Sequence, residues 1–201
     1  IVILILIQLG GLGFMASATL FLMALGRRIG LRERLLIKES MGVEYIGGLL
    51  KLVIRIVPFT FIAEGLGALV LSLRFAEQNP PGAAAWKGIF QSVSAFNNAG
   101  FDLHGGFRSL LNYQSDAVTL LTTAILFILG GISFTVVQDV ITRRSFRRLS
   151  LDSKIVLITT GSLLVAGTFI LLFAEFWNPN TLEPMPLPQK MLNAFFHAAT
   201  P

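Results

Sequence analysis

Four stretches of this chain are apolar for twenty residues or more, and that length leaves few folds open. They run from Ile1 to about Leu25, from about Gly48 to Phe75, from about Ala117 to Ile141, and from Ile155 to about Trp177. A helix needs roughly 20 mainly apolar residues to cross a bilayer. Charged residues make up only 13% of the chain and hydrophobic ones 54%, whereas a soluble domain carries about 25% charged residues. The expected fold class is an all-α integral membrane protein.

Charge then orients the spans. The net charge of +5 is concentrated at Arg27, Arg28, Arg32, Arg34 and Lys38, and again at Arg143, Arg144, Arg147, Arg148 and Lys154. Both clusters follow apolar runs, as the positive-inside bias predicts, so loops 26–46 and 143–154 are expected to be cytoplasmic. Asn79-Pro80-Pro81-Gly82 then reads as an outside turn, and loop 97–115 faces outside. Residues Leu31 to Glu39 read as a short amphipathic connector along the inner surface; its arginines set topology, with partner docking as the lesser alternative. A single aromatic residue, Phe146, interleaves with the arginines, too few for a stacking platform, so nucleic-acid binding is not expected. The absence of cysteine excludes disulfides and thiolate metal sites. The chain opens at Ile1 within an apolar run and stops at Pro201 in mid-pattern, which predicts an internal fragment of a larger membrane protein.

Two short segments, Trp86 to Phe96 and Gln189 to Thr200, cannot cross a bilayer and follow outward-running spans and proline-rich turns. Each reads as a re-entrant helix. The chain also repeats itself. Leu9-Gly10-Gly11-Leu12-Gly13-Phe14 recurs as Leu129-Gly130-Gly131-Ile132-Ser133-Phe134, and Arg27-Arg28 recurs as Arg147-Arg148, at a constant offset of 120 (129 − 9 and 147 − 27). The unit is a span, a re-entrant helix, a loop and a second span. Parallel repeats of this kind surround an axis along the membrane normal. Glycine in mid-span weakens a helix by about 1 kcal/mol relative to alanine. Gly130 and Gly131 therefore read first as close packing positions, with a bend or room behind the loop as the alternative.

The loop after the first short helix, Asn97-Asn98-Ala99-Gly100-Phe101, carries the functional expectation. Irregular backbone at membrane depth survives only when buried in protein or facing a watery cavity. Carbonyls held that way are material for a cation filter, and Gly100 permits backbone angles that a side chain resists. The C-terminal end of helix 86–96 carries partial negative charge and favours a cation. An ordinary Asn/Gly turn is the plain alternative; the position between two spans favours the filter. Glu64, near the middle of the second span, is a functional candidate by its location, although a structural hydrogen bond to the back of the short helix or its loop is the preferred reading. Glu175 reads as an anchor, and Asp102 as either a cation-concentrating charge or a solvated one. His104 and His197 lack a second ligand at metal spacing. No nucleophile–base pair or paired carboxylate stands out, so an enzyme is not expected.

Phe90 to Leu103, the Gly-Gly-x-x-Phe motifs, and Gly26-Arg-Arg-Ile-Gly-Leu-Arg-Glu-Arg-Leu-Leu together resemble the KtrB/TrkH family of bacterial potassium-uptake subunits, and the short basic connectors are more similar to the KtrB branch. That resemblance implies four repeats of outer helix, pore helix, filter loop and inner helix. Residues 1–46 would be the inner helix and connector of repeat one, 47–150 a complete repeat two, and 151–201 the outer and pore helices of repeat three. It implies potassium as substrate, bound by the backbone of Asn97, Asn98, Ala99, Gly100 and Phe101 with Glu64, Gly130 and Gly131 in support. It also implies no cofactor in this chain, a homodimer in a bacterial plasma membrane, and cytosolic nucleotide-binding regulatory subunits. A transporter that also passes sodium, or a non-conducting membrane scaffold, are the alternatives.

Overall fold

A computed structural model of the protein describes residues 1–11, 49–106 and 108–200. Most of the first expected span, the 26–46 connector and the basic residues within it lie outside the described residues.

Seven α-helices are described. Helix α1 is Val2–Gly11 and α2 is Leu49–Phe75. Helix α3 is Pro81–Phe96, α4 is Ala117–Gly131 and α5 is Phe134–Arg143. Helix α6 is Leu151–Glu175 and α7 is Leu187–Ala199. Two of them, over Arg55–Phe75 and Leu151–Glu175, are long and apolar enough to cross a membrane. Helix α6 buries none of its most apolar stretch within the described chain, as a helix whose solvent is lipid should.

The short helices begin earlier than the sequence suggested. Helix α3 starts at Pro81, not Trp86, with proline in its first turn, and α7 likewise starts on the residues after Pro186. Proline is favourable there because the first N–H groups of a helix have no internal partner to lose. Helix α3 is the centre of the described fold: Phe90 through Phe96 are all buried. It packs on α2 through reciprocal close contacts. A Cβ added at Gly88 would lie 2.6 Å from the Ser72 backbone nitrogen, and one added at Gly67 would lie 2.6 Å from Ser92 Oγ. Ser92 Oγ also donates to the Glu64 carbonyl across the interface at 2.7 Å. Leu71, Phe75, Ala95, Phe96, Leu120 and Leu126 complete the core among α2, α3 and α4.

The straight crossing expected over 117–141 is not observed. Helices α4 and α5 meet at an angle of 98°. The fifteen residues of α4 span only about 22 Å at 1.5 Å per residue, short of a hydrocarbon core of about 30 Å. The break follows Gly130-Gly131. Ile132 and Ser133 are extended, and the Ser133 carbonyl then accepts from Val136 and Val137 to start α5. Two adjacent glycines sustain a helix poorly, and Ser133 begins a new helix instead of continuing the old one. Apolar content persists through the break, so hydropathy alone reads it as one span.

A polar clamp fixes the far end of this unit. Asp116 caps α4 by accepting from Val118 N at 3.1 Å and Thr119 Oγ1 at 2.6 Å. The Arg74 guanidinium at the end of α2 grips the same carboxylate at 3.0 and 3.1 Å.

Candidate functional site

Helix α3 ends because Asn97 and Asn98 leave helical geometry. Asn98 adopts a left-handed conformation (φ 50°), and Gly100 follows with φ 72°. The second value suits glycine, which pays no Cβ penalty there. The loop is folded back on its helix by one side chain. Ser94 Oγ accepts from the Phe101 N–H at 2.9 Å and donates to the Phe101 carbonyl at 2.5 Å. The Ala99 N–H adds a bond to the Ser94 carbonyl at 2.9 Å. Among the described residues, the carbonyls of Asn97, Asn98, Ala99 and Gly100 accept no hydrogen bond.

The expected filter residues divide between two sides of the loop. Asn98, Gly100 and Phe101 line a cavity of about 810 Å³ together with Gly131 at the break in the α4–α5 pair. The far wall of the cavity is α6 and the end of α7, including Gly167, His197 and Ala198. Asn97 and Ala99 turn the other way. The Ala99 methyl packs on Ile7, Phe90 and Val93. Asn97 Nδ2 donates to Glu64 Oε1 at 2.9 Å and to the Val93 carbonyl at 2.8 Å.

Glu64 is only 4% exposed and stands behind the loop, away from the cavity. It shares an apolar cleft with Gln8 of α1. Gly130 also lies behind the loop: a Cβ there would overlap the Phe96 carbonyl, and one at Gly131 would sit 3.6 Å from Asn98 Nδ2.

Asp102 reaches the cavity wall, and its carboxylate also accepts from the His104 N–H at 2.8 Å. His104 is half-buried against Phe75 and Tyr113 at ring distances of 5.2 and 5.4 Å. Burial holds its pKa below the ordinary histidine value, with the Lys87 charge adding to the fall and the Asp102 charge opposing it.

Three features were not anticipated from sequence. One is the Ser94–Phe101 staple. Another is Gln91, 6% exposed on the cavity wall, whose Oε1 has no hydrogen-bond partner among the described residues. The third is Lys190, whose ammonium donates to the Phe176 carbonyl at 2.9 Å and so anchors α7 to the end of α6. Helix C-termini attract cations, so a lysine early in a short helix was the available signal for that anchor.

The electrostatic consequence is simple. Two short helices, α3 and α7, direct their C-terminal ends at one cavity. Each end contributes partial negative charge, and the loop adds carbonyls without hydrogen-bond partners among the described residues. The arrangement suits a desolvated cation.

A model of a cation transport protein family, TrkH, matches residues 2–200. The chain belongs to the TrkH family. Among relatives, it is 40% identical over 200 residues to Ktr system potassium uptake protein B of Bacillus subtilis. It is 38% identical over 202 residues to the protein of that name from Vibrio alginolyticus. It is 35% identical over 199 residues to potassium/sodium uptake protein NtpJ of Enterococcus hirae. These alignments cover 99–100% of this TrkH chain but only 44% of each relative.

Proposed function

We propose that this TrkH chain forms part of a potassium-translocating membrane subunit, in which loop 97–101 supplies one segment of a backbone-carbonyl filter. The observation that carries the reading is the convergence of α3 and α7 on one cavity beside the carbonyls of Asn98 and Gly100, which accept no hydrogen bond among the described residues. Potassium sheds water at the filter and gains carbonyl oxygens in exchange. Gly100 provides the turn that presents them. Glu64 and Gly130 act from behind, by holding the loop in place. The subunit carries no cofactor and catalyses no bond chemistry.

The basic loops face the cytoplasm and loop 97–115 faces outside, following the positive-inside bias. A homodimer with cytosolic nucleotide-binding regulators follows from family resemblance. The relatives named for a Ktr system support an assembly of several components. A second reading, a transporter that also passes sodium, is favoured by the name of the Enterococcus relative.

The test is cation uptake by the full-length transporter carrying Gly100→Ala or Gly100→Ser in a host lacking its own potassium uptake. At φ 72° either side chain costs about 1–2 kcal/mol of backbone strain. Both variants are expected to lose preference for potassium over sodium. Unchanged selectivity in both sinks the filter assignment.

A further inference from the structure

We infer that Gly11 and Gly130 are specificity-determining positions that touch no ion: the two inner helices clasp the Phe96–Asn97 turn between them, and only glycine fits at either jaw. The inference rests on the filter reading above.

On one side, α1 lays Gly11 against the Asn97 side chain. A Cβ at Gly11 would overlap Oδ1 and Cγ of Asn97 and come within 2.7 Å of its Cβ. On the other side, α4 lays Gly130 against the Phe96 carbonyl, which a Cβ would also overlap. The clasped residues immediately precede the loop carbonyls. Asn97 is also the residue tied to Glu64 at 2.9 Å. An alanine at Gly11 must displace the Asn97 amide, and with it the hydrogen bond that fixes the start of the loop. An alanine at Gly130 must push the backbone of Phe96 itself, which cannot swing aside as a side chain can.

The repeat gives the clasp a meaning beyond packing. Gly10-Gly11 and Gly130-Gly131 occupy equivalent positions at an offset of 120 (130 − 10 and 131 − 11). The jaws use different members of the pair: Gly130, the first glycine, meets the short helix of its own repeat. Gly11, the second glycine of the preceding copy, meets the turn of the next repeat. The paired glycine thus reads as two contacts, one within a repeat and one between neighbours. It couples the position of one inner helix to the filter of the adjacent repeat.

The experiment uses the full-length transporter in the uptake-deficient host, with membrane abundance and rubidium uptake in competition with sodium as readouts. Gly11→Ala and Gly130→Ala are compared with Gly65→Ala and Gly161→Ala, whose added methyl groups meet nothing within 4 Å among the described residues. All four replace a helical glycine by alanine, and only the first two add a close contact. The expected result is a fall of about tenfold in rubidium-over-sodium preference for the first two, the scale of overpacking a filled site, and no change for the controls. In an Asn97→Gly background, Gly11→Ala should add nothing further, because Oδ1, Cγ and Cβ, the three atoms nearest the added methyl, are gone. Should Gly11→Ala fail to accumulate, the double variant Gly11→Ala/Asn97→Gly must recover abundance, and its failure to do so overturns the clasp. Native selectivity in both single variants also overturns it. Gly100→Ser distinguishes the two levels: altered selectivity there beside an unaltered Gly11→Ala defeats the clasp alone, while unaltered Gly100→Ser defeats the filter reading beneath it.

Discussion

Removing the hydroxyl of Ser94 should loosen the loop without unfolding the protein. Ser94 is 2% exposed, and its Oγ makes both of the side-chain bonds that return Phe101 to the helix, at 2.9 Å from the amide and 2.5 Å to the carbonyl. A hydrogen bond contributes about 0.5–1.5 kcal/mol net, so the pair holds about 1–3 kcal/mol. The upper end applies when the freed groups stay dry. Phe101 is 56% exposed, so water can reach its amide and carbonyl, and the loss in Ser94→Ala should fall near about 1–2 kcal/mol. The vacated volume is one oxygen, too small to add much of a cavity cost. A deficit of that size is modest against total stability yet large for a filter, since about 1.4 kcal/mol is tenfold in a binding ratio. The full-length protein should therefore reach the membrane and melt slightly early in detergent. Its preference for rubidium over sodium should fall by up to about tenfold. Ser94→Thr, which keeps the hydroxyl, should retain selectivity while losing abundance to the extra buried methyl. Native selectivity and native melting in Ser94→Ala would refute the reasoning.

Two further perturbations separate support from chemistry. Glu64→Gln keeps an acceptor for Asn97 and should preserve selectivity, whereas Glu64→Leu leaves Asn97 Nδ2 with the Val93 carbonyl alone and should weaken it; loss of uptake in a normally assembled Glu64→Gln would show that the carboxylate charge itself is needed. Asp116→Asn should keep the cap of α4 but lose the Arg74 ion pair, while Asp116→Ala should lose both and cost about 1 kcal/mol more, read from detergent melting curves. Burial pushes the Asp116 pKa up, but hydrogen bonds from Arg74 and Thr119 and the Arg74 charge outweigh it, leaving the net value below the ordinary carboxylate. A depressed folded-state pKa stabilises above the unfolded value of 3.8 and loses that contribution as pH falls through the folded one. The melting difference between the parent and Asp116→Asn should accordingly be constant at neutral pH and shrink below about pH 4.

The parts of this fold legible in the sequence are those set by length and by punctuation. The runs ending at Phe75 and near Trp177 are long enough that lipid dictates helix. The end of α3 at Phe96 was marked by Asn-Asn-Ala-Gly, residues that leave helical geometry readily. The break after Gly131 was not read as a break, because the residues on both sides of it are apolar and hydropathy carries no direction. Gly-Gly was the available signal, and it had two meanings: close approach and bending. The structure uses both, since Gly130 abuts Phe96 while the chain turns by 98° after Gly131. Pairings such as Glu64 with Asn97 cross 33 residues, and no periodicity encodes them.

For the filter proposed above, the placement of Glu64 decides what kind of selectivity the cavity can have. A carboxylate facing the ion path would attract cations by net charge and discriminate poorly between potassium and sodium. Here the buried acid faces away from the cavity and is engaged by Asn97. The cavity instead receives two helix C-termini and the neutral carbonyls of Asn98 and Gly100, with Asp102 at its wall. Partial charges on fixed backbone act over short distances and reward a particular spacing of oxygens, so selectivity becomes a matter of where the loop is held. That transfers the burden from the ligands to their supports: Ser94 across the loop, Asn97 and Glu64 behind it, and the glycine contacts on either side. The filter proposed for this loop is therefore expected to be most vulnerable at residues an ion never meets.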